Sequence, residues 1–392
     1  MTPEPYPHVR VSGDARGRGR SYGEQARDRV HASIAGYERT FAHYTGWDWP
    51  RVRREAAPFE EPVAERHAPS IEEMRGIAEG AGVDFADVLA INVRTEVMFS
   101  AKARKAADER GAKLPRECSA FAVLPEASAD GHTLIGQNWD WLVHCFDTVV
   151  VLEVEQPDAP DFVTVVEAGL LAKAGMNSSG VGVATNALVT ERDLGQPGLP
   201  FHVLVRALYD AETLTDALQT LQAGVRSSSA NYLIAHRDGT AMSVEAAPGD
   251  FSDLHLRFPE RDVLVHTNHF LSEDARKGDI SLWAMPDSAV RYDRTRKAVE
   301  RDVGSITHKT LEELLTDHAD YPSGVCCHPD LREALPERGS TIASLVMDLD
   351  TRTMWLADGH PCTVPFREID YAEFLAKPSP LCEPAPEGGD AR

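Results

Sequence analysis

Six cysteines, Cys118, Cys145, Cys326, Cys327, Cys362 and Cys382, are the residues of this 392-residue chain most able to do nucleophilic or metal chemistry, and none forms a C-x-x-C pair. Cys118 stands apart because it lies where a helical texture gives way to strands. A thiol attacks as its thiolate, so a working cysteine needs a base or a positive charge beside it. Taken alone, Cys118 reads equally as a buried structural cysteine, the commoner role. Asn138 and Asp140 lie two apart on the expected strand 133–141 and therefore share a face, with Gln137, Trp139 and Trp141 on the other. That is a polar pair backed by an aromatic wall, although an aspartate at a strand end also commonly satisfies a turn. His266 and Asn268 share a face of the expected strand 263–268, and a carboxamide there can stabilise an oxyanion without titrating. Arg338 precedes a strand and has Glu337 beside it. An ordinary surface salt bridge is one reading, and a fixed charge that favours a thiolate and steadies an aspartate is the other.

Two other constellations are weaker. The pair His266-x-x-His269, with His318, Cys326, Cys327 and His328, invites a zinc reading. Strand neighbours three apart face opposite ways, however, and neither H-E-x-x-H nor paired C-x-x-C knuckles occur, so neither a metal nor a resident cofactor is expected. Cys326 and Cys327 are expected to line the interior or the site wall. The run Gly175-Met176-Asn177-Ser178-Ser179-Gly180 misses the G-x-S-x-G elbow by one residue, and its expected job is a tight turn between strands 170–173 and 181–188. Neither G-x-G-x-x-G nor a GK[ST] phosphate loop is present.

These residues must be positioned by two different textures. Residues 1–117 are helical in pattern: apolar residues recur at helical spacing over 22–45, a second helix opens on the box Ser70-Ile71-Glu72-Glu73 and ends at Gly82, and Asp84 caps a third over 85–99. A basic link, 102–116, leads to Cys118. Strands then dominate, at 119–124, 133–141, 148–154, 162–168 and 181–188, followed by helices 201–210 and 214–223. Strands 231–236, 241–246, 254–258 and 263–268 come next, then helices 289–301 and 309–318 and strands 341–348 and 352–356. Strand runs alternating with helix pairs fit an α+β architecture, two sheets packed together with helices outside. The tail 377–392, rich in Pro, Glu and Gly, is expected to be disordered.

Composition narrows the function. Hydrophobic residues make up 42% and charged residues 26%, the balance of a globular chain. Lys and Arg number 40 against 62 Asp and Glu, a net charge of -22 that repels phosphate backbones and anionic lipid, so neither nucleic acid nor a membrane is an expected partner. The longest apolar stretches, such as 149–152, fall far short of the roughly 18 residues a span needs. The N-terminus lacks the apolar core of a secretory signal, which makes a cytoplasmic location the expectation.

Four segments occur in order: Glu117-Cys118-Ser119-Ala120-Phe121-Ala122, Gly136-Gln137-Asn138-Trp139-Asp140-Trp141, Val265-His266-Thr267-Asn268-His269 and Glu337-Arg338-Gly339-Ser340-Thr341. With the leader's Gly17-Arg18-Gly19-Arg20-Ser21-Tyr22-Gly23 and Glu73-Met74-Arg75-Gly76-Ile77-Ala78-Glu79-Gly80, they resemble the acyl-coenzyme A:isopenicillin N (6-aminopenicillanic acid) acyltransferase family, autoproteolytic cysteine peptidases of the N-terminal nucleophile hydrolase type. The resemblance implies a four-layer αββα sandwich of two antiparallel sheets. It also implies a precursor that cuts its own Glu117-Cys118 bond, leaving 1–117 bound as a small subunit to a catalytic core at 118–376. Fungal members carry Gly where this chain has Glu117. By resemblance Asp140 orients the new α-amine and can pair with Arg338, Asn268 stabilises the oxyanion, and Asn186 matches a second site asparagine of penicillin V acylases and bile salt hydrolases; Asn138 and His266 remain oxyanion or substrate-binding candidates. An α-amine with a pKa of about 8 can serve as base for its own thiol, at about 8.5. The implied partner is a small amide or acyl donor, with hydrolysis slightly favoured. The alternatives are an acyl-coenzyme A-dependent N-acyltransferase acting on a β-lactam-like or other small amine, and a non-catalytic binding module.

Overall fold

The computed structural model describes residues 4–99, 118–276 and 278–377. The link 102–116, Glu117 and the tail 378–392 lie outside the described residues. The core is two sheets. The first has eight strands in the order β1 (His8–Val11), β4 (Val149–Val154), β5 (Phe162–Glu167), β6 (Ala174–Asn177), β7 (Val181–Ala187), β8 (Ala230–His236), β9 (Thr240–Ala246) and β10 (Leu254–Arg257). The second has six, β11 (Val263–His266), β2 (Ser119–Val123), β3 (Leu134–Leu142), β12 (Gly339–Asp348), β13 (Thr353–Ala357) and β14 (Arg367–Asp370).

Every residue of β3 and of β12 is buried, so both faces of the second sheet are covered. One face meets β7 of the first sheet, where Gln137 Oε1 accepts the Thr185 amide at 2.7 Å. Helices Ser288–Arg301 and His308–Leu315 cover the other. On the far side of the first sheet lie helix Leu214–Gln222 and the N-terminal helices. The layer order is helix, sheet, sheet, helix, as the resemblance implied.

The N-terminal part carries one feature its helical pattern hid. β1 joins the first sheet in parallel with β4, pairing His8 with Val151 and Val11 with Val154. Four residues are too few for their alternation to stand out from the background. Helices α1 (Ala15–Gln25), α2 (Arg27–Thr45), α3 (Trp49–Ala56), α4 (Glu60–Arg66), α5 (Ala68–Ala81) and α6 (Phe85–Asn92) follow. Gly82, at φ 72°, ends α5, and Asp84 with Asp87 forms the box that opens α6. The start of α5 differs from expectation: Pro69 sits in its first turn and His67 precedes the helix, while the Ser70 hydroxyl meets His67 Nδ1 at 2.8 Å inside it. Farther along, the tight turn lies at 178–180 and follows β6, which begins at Ala174, later than the expected strand 170–173.

The glycine and arginine runs of α1 and α5 have one shared cause. A Cβ on Gly19 would stand 2.1 Å from the Glu73 carbonyl oxygen, and one on Gly76 would stand 2.2 Å from that of Arg16. The two helices therefore touch backbone to backbone. Arginine reads the groove beside them: Arg18, buried, meets Glu73 at 2.5 Å, and Glu73 in turn meets Arg206 at 2.8 Å in the helix Phe201–Leu208. Burial pushes the Glu73 carboxyl up, but Arg206 and Arg18 outweigh it and hold it below its ordinary value. Gly76→Val should destabilise the protein by about 1–3 kcal/mol through overpacking against that carbonyl, read as a lowered denaturation midpoint. An unchanged midpoint would show that the helices have room to separate.

Candidate active site

Cys118 heads β2, the second strand of its sheet, flanked by the edge strand β11 and by β3. Its side chain is fully buried. Two layers reach its carbonyl oxygen. From β7 of the facing sheet, Asn186 Nδ2 donates to it at 2.9 Å, and from helix Ser288–Arg301, Arg291 Nη1 donates at 3.0 Å. Arg291 spends its remaining donors on the same neighbourhood: Nη1 to Ser119 Oγ at 3.1 Å, Nη2 to Asn268 Oδ1 at 2.9 Å and Nε to Asp287 at 2.9 Å. Burial works against its charge, but Asp287 and Asp140 reverse that effect and raise its pKa. The guanidinium is thus a permanent cation beside the cysteine.

Behind Asn186 stands a row of polar residues on one face of three neighbouring strands. Asn186 on β7 lies opposite Asn231 on β8, which lies opposite Glu245 on β9. Asn231 Nδ2 donates to Asn186 Oδ1 at 3.0 Å and Ser243 Oγ donates to Asn231 Oδ1 at 2.6 Å, which fixes the amide of Asn186 towards Cys118. Glu245 meets His266 Nε2 at 2.8 Å and accepts the amides of Leu271 and Ser272 at 2.6 and 3.0 Å. Burial raises the Glu245 carboxyl, but His266 and these donors prevail and lower it to about 2. His266 is therefore an anchor between sheets, bound to Glu245 and to the Thr267 carbonyl at 2.6 Å.

The other expected residues fall into two groups. Asp140 and Asn268 are buried at the site. Asp140 accepts the Thr341 hydroxyl at 2.6 Å, and Asn268 donates to the Ala187 carbonyl at 2.9 Å. β11 ends at His266, so Asn268 sits in the bend beyond it rather than on the strand, its amide held by Ser288 Oγ at 2.7 Å. Asn138 does share a face with Asp140, but both its N–H groups are bound to the carbonyls of Leu315 and Val325, at 2.9 and 2.7 Å, and it clamps a helix end to the sheet. Arg338 leaves the turn Leu335–Glu337 and donates to the carbonyls of Glu333 and Leu331, at 3.1 and 3.4 Å. Among the described residues it forms no ion pair with Asp140. Glu337 does not pair with it either and meets His43 of α2 at 3.1 Å.

Arg291 was the residue sequence reasoning missed. Its signal was present: Ser288, Arg291, Thr295 and Val299 form the buried stripe of their helix at spacings of three and four, and an arginine in such a stripe must find partners. Asn231 and Glu245 gave a similar signal as polar residues inside apolar strands.

A buried cysteine at the head of an interior strand, its backbone gripped by a carboxamide and a guanidinium inside a two-sheet sandwich, is the framework of an enzyme that works on carbonyl groups. The family model for acyl-coenzyme A:6-aminopenicillanic acid acyl-transferase matches residues 127–362, more than half of the chain, and the protein belongs to that family. It is 28% identical over 310 residues to the 40 kDa form of acyl-coenzyme A:6-aminopenicillanic-acid-acyltransferase of Emericella nidulans, covering 77% of this chain and 78% of that one. It is 26% identical over 288 residues to an uncharacterized protein of Archaeoglobus fulgidus, covering 64% of this chain and 47% of the relative. Among solved structures, conjugated bile acid hydrolase of Clostridium perfringens aligns with a TM-score of 0.43 at 14% identity over 65% of this chain and 93% of its own. Penicillin V acylase of Agrobacterium tumefaciens aligns with a TM-score of 0.43 at 15% identity, over 66% and 88%.

The Glu245 carboxyl predicts a pH effect. Lowered in the folded state from 4.5 to about 2, it adds stability that is complete above the ordinary value and is lost as pH falls towards 2. The gap in unfolding free energy between wild type and Glu245→Gln should therefore shrink across that interval. A gap that stays constant from pH 5 downwards, in denaturant titrations, contradicts the assignment.

Proposed function

We propose that the chain is a self-processing amide-bond enzyme whose nucleophile is Cys118, freed as an N-terminus by cleavage of the 117–118 bond. In the first stage the Cys118 thiolate attacks the Glu117 carbonyl carbon, the peptide C–N bond breaks, and its nitrogen leaves as the α-amine of Cys118. Water then opens the thioester, returning the thiol and leaving a carboxylate on Glu117. The single observation that carries this reading is the double grip of Asn186 and Arg291 on the Cys118 carbonyl. It fixes the backbone on the far side of the nucleophile, so that attack needs rotation of the side chain only.

In the second stage the α-amine takes the thiol proton and the sulfur attacks the carbonyl of a small acyl or aminoacyl amide. Charge develops on that oxygen, and the second N–H of Asn268 with backbone amides stabilises it. The leaving amine takes the proton from the α-ammonium, and a thioester acyl-enzyme remains. Asp140, close enough to Arg291 to raise its pKa, holds the ammonium in place. Water is the acceptor this reading favours, because a chain of net charge -22 offers little general attraction for a coenzyme carrying phosphates. A second reading, transfer from an acyl-coenzyme A to an amine, is favoured by the identity to the fungal acyltransferase.

Denaturing electrophoresis of the purified protein should give pieces of 117 and 392 − 117 = 275 residues, and Cys118→Ala should give one full-length band. A wild type that stays in one piece removes the proposal and favours a binding module. The two pieces should co-elute on gel filtration without denaturant, since Glu73 with Arg206 and Arg94 with Glu167, at 2.7 Å, are buried pairs crossing between them. Replacing Asn186 by Ala should slow processing about 10²–10³-fold if its hold on the backbone is part of the attack geometry, read from the decay of the full-length band. Acyl-coenzyme A with and without 6-aminopenicillanic acid separates the acceptors: thiol release that depends on the amine supports transfer.

A further inference from the structure

Outside the Cys118 site, the fold brings Cys362 to His318, Cys326 and His328, three ligand-type side chains that are near neighbours in sequence. His318, Cys326, His328 and Cys362 each offer one donor atom, and all four atoms lie within 4.8 Å of one another. His328 Nε2 stands 3.0 Å from His318 Nε2, 3.5 Å from Cys326 Sγ and 3.4 Å from Cys362 Sγ. In a tetrahedron with zinc–sulfur bonds of about 2.3 Å and zinc–nitrogen bonds of about 2.05 Å, the edges between ligand atoms are about 3.3 Å for two nitrogens and about 3.6 Å for nitrogen and sulfur. The three separations from His328 Nε2 match those edges to within a few tenths of an ångström, and the remaining ones, all within 4.8 Å, close onto the same point by small side-chain rotations. Two imidazole nitrogens and two sulfurs converging on one point are also poorly matched as hydrogen-bond partners, because thiols are weak donors and acceptors.

We propose that these four residues bind one zinc ion, in a closed Cys₂His₂ structural site. Zinc follows from the donor set, two soft sulfurs with two imidazoles at tetrahedral spacing, and four protein ligands leave no open position for a substrate or water. On binding, both thiols lose their protons to solvent and the two histidines coordinate as neutral rings. The ring of His360 stacks on His328 with centroids 4.4 Å apart and would hold its plane.

The ion would tie two loops to the edge of the active site. Cys326 is followed by Cys327, whose amide donates to Thr341 Oγ1 at 2.8 Å, and that hydroxyl donates to Asp140. Cys362 comes from the separate loop after β13. The sequence pattern argues against a metal because His266 and His269 face opposite ways and no knuckle spacing occurs; it includes His318, Cys326 and His328 among the candidates but not Cys362, the fourth member of this cluster. That cysteine is distant in sequence and gives no knuckle spacing.

The test uses the full-length protein purified under reducing conditions, loaded with zinc chloride and desalted. About one zinc per chain is expected by mass spectrometry of the metal. Loading with cobalt(II) should give the intense visible bands of a tetrahedral site together with thiolate-to-cobalt charge transfer in the near ultraviolet. Cys326→Ser/Cys362→Ser should lose both the metal and the charge-transfer band. The proposal is overturned if the wild type retains well under one zinc per chain, if its cobalt spectrum is octahedral or lacks the thiolate band, or if peptide mapping of the reduced preparation shows Cys326 and Cys362 joined as a disulfide. Should the double variant fail to fold, the wild-type cobalt spectrum decides alone.

Discussion

The carbonyl oxygen of Cys118 is where the layers of this protein meet. Asn186 reaches it from one sheet and Arg291 from the helix layer behind the other, so neither can move without disturbing the other's partner. A buried guanidinium is costly unless its N–H groups find acceptors, and four of the five on Arg291 do so on Cys118, Ser119, Asn268 and Asp287. The need to satisfy one cation thus fixes the strand head, the bend after β11 and the start of a helix relative to one another. The site is a by-product of that requirement as much as a cause of it.

The layered fold was legible because long strands and amphipathic helices announce themselves by period. The strands β3, β7, β8 and β12 lie within one or two residues of their expected bounds, since each is a run of apolar residues closed by turn chemistry. What failed was short or was decided at a distance. β1 is four residues long, and the strand carrying His266 stops there because Asn268 turns away to bind Ser288 and Arg291. The same division holds for the site. Cys118, Asp140 and Asn268 stand out as polar or nucleophilic residues at or in expected strands, whereas Asn186 is marked only by the family resemblance. Arg291 was hidden among the other arginines of its helix, and Arg338, adjacent in sequence to β12, points back into its own turn.

Charge is handled differently inside and outside. The surface carries many exposed arginine pairs, such as Arg16 with Glu79 and Arg20 with Glu79, each worth little in water. Buried charges come in networks instead. Arg94 with Glu167 also engages Tyr37, which donates to Glu167 at 2.6 Å and accepts from Trp141 at 2.8 Å. This network joins the N-terminal helices to the sheets, and Arg18 with Glu73 and Arg206 joins them to the helix Phe201–Leu208, so the segment before Cys118 supplies partners that some of the core's buried charges need.

β1 gives this arrangement a kinetic side. The first strand of the N-terminal part pairs with β4 while α1 and α5 interlock behind it. In an intact chain these parts find each other as neighbours on a tether. If the chain is cut at 117–118 as proposed, the pieces would reassemble after denaturation only by collision, and recovery would depend on dilution.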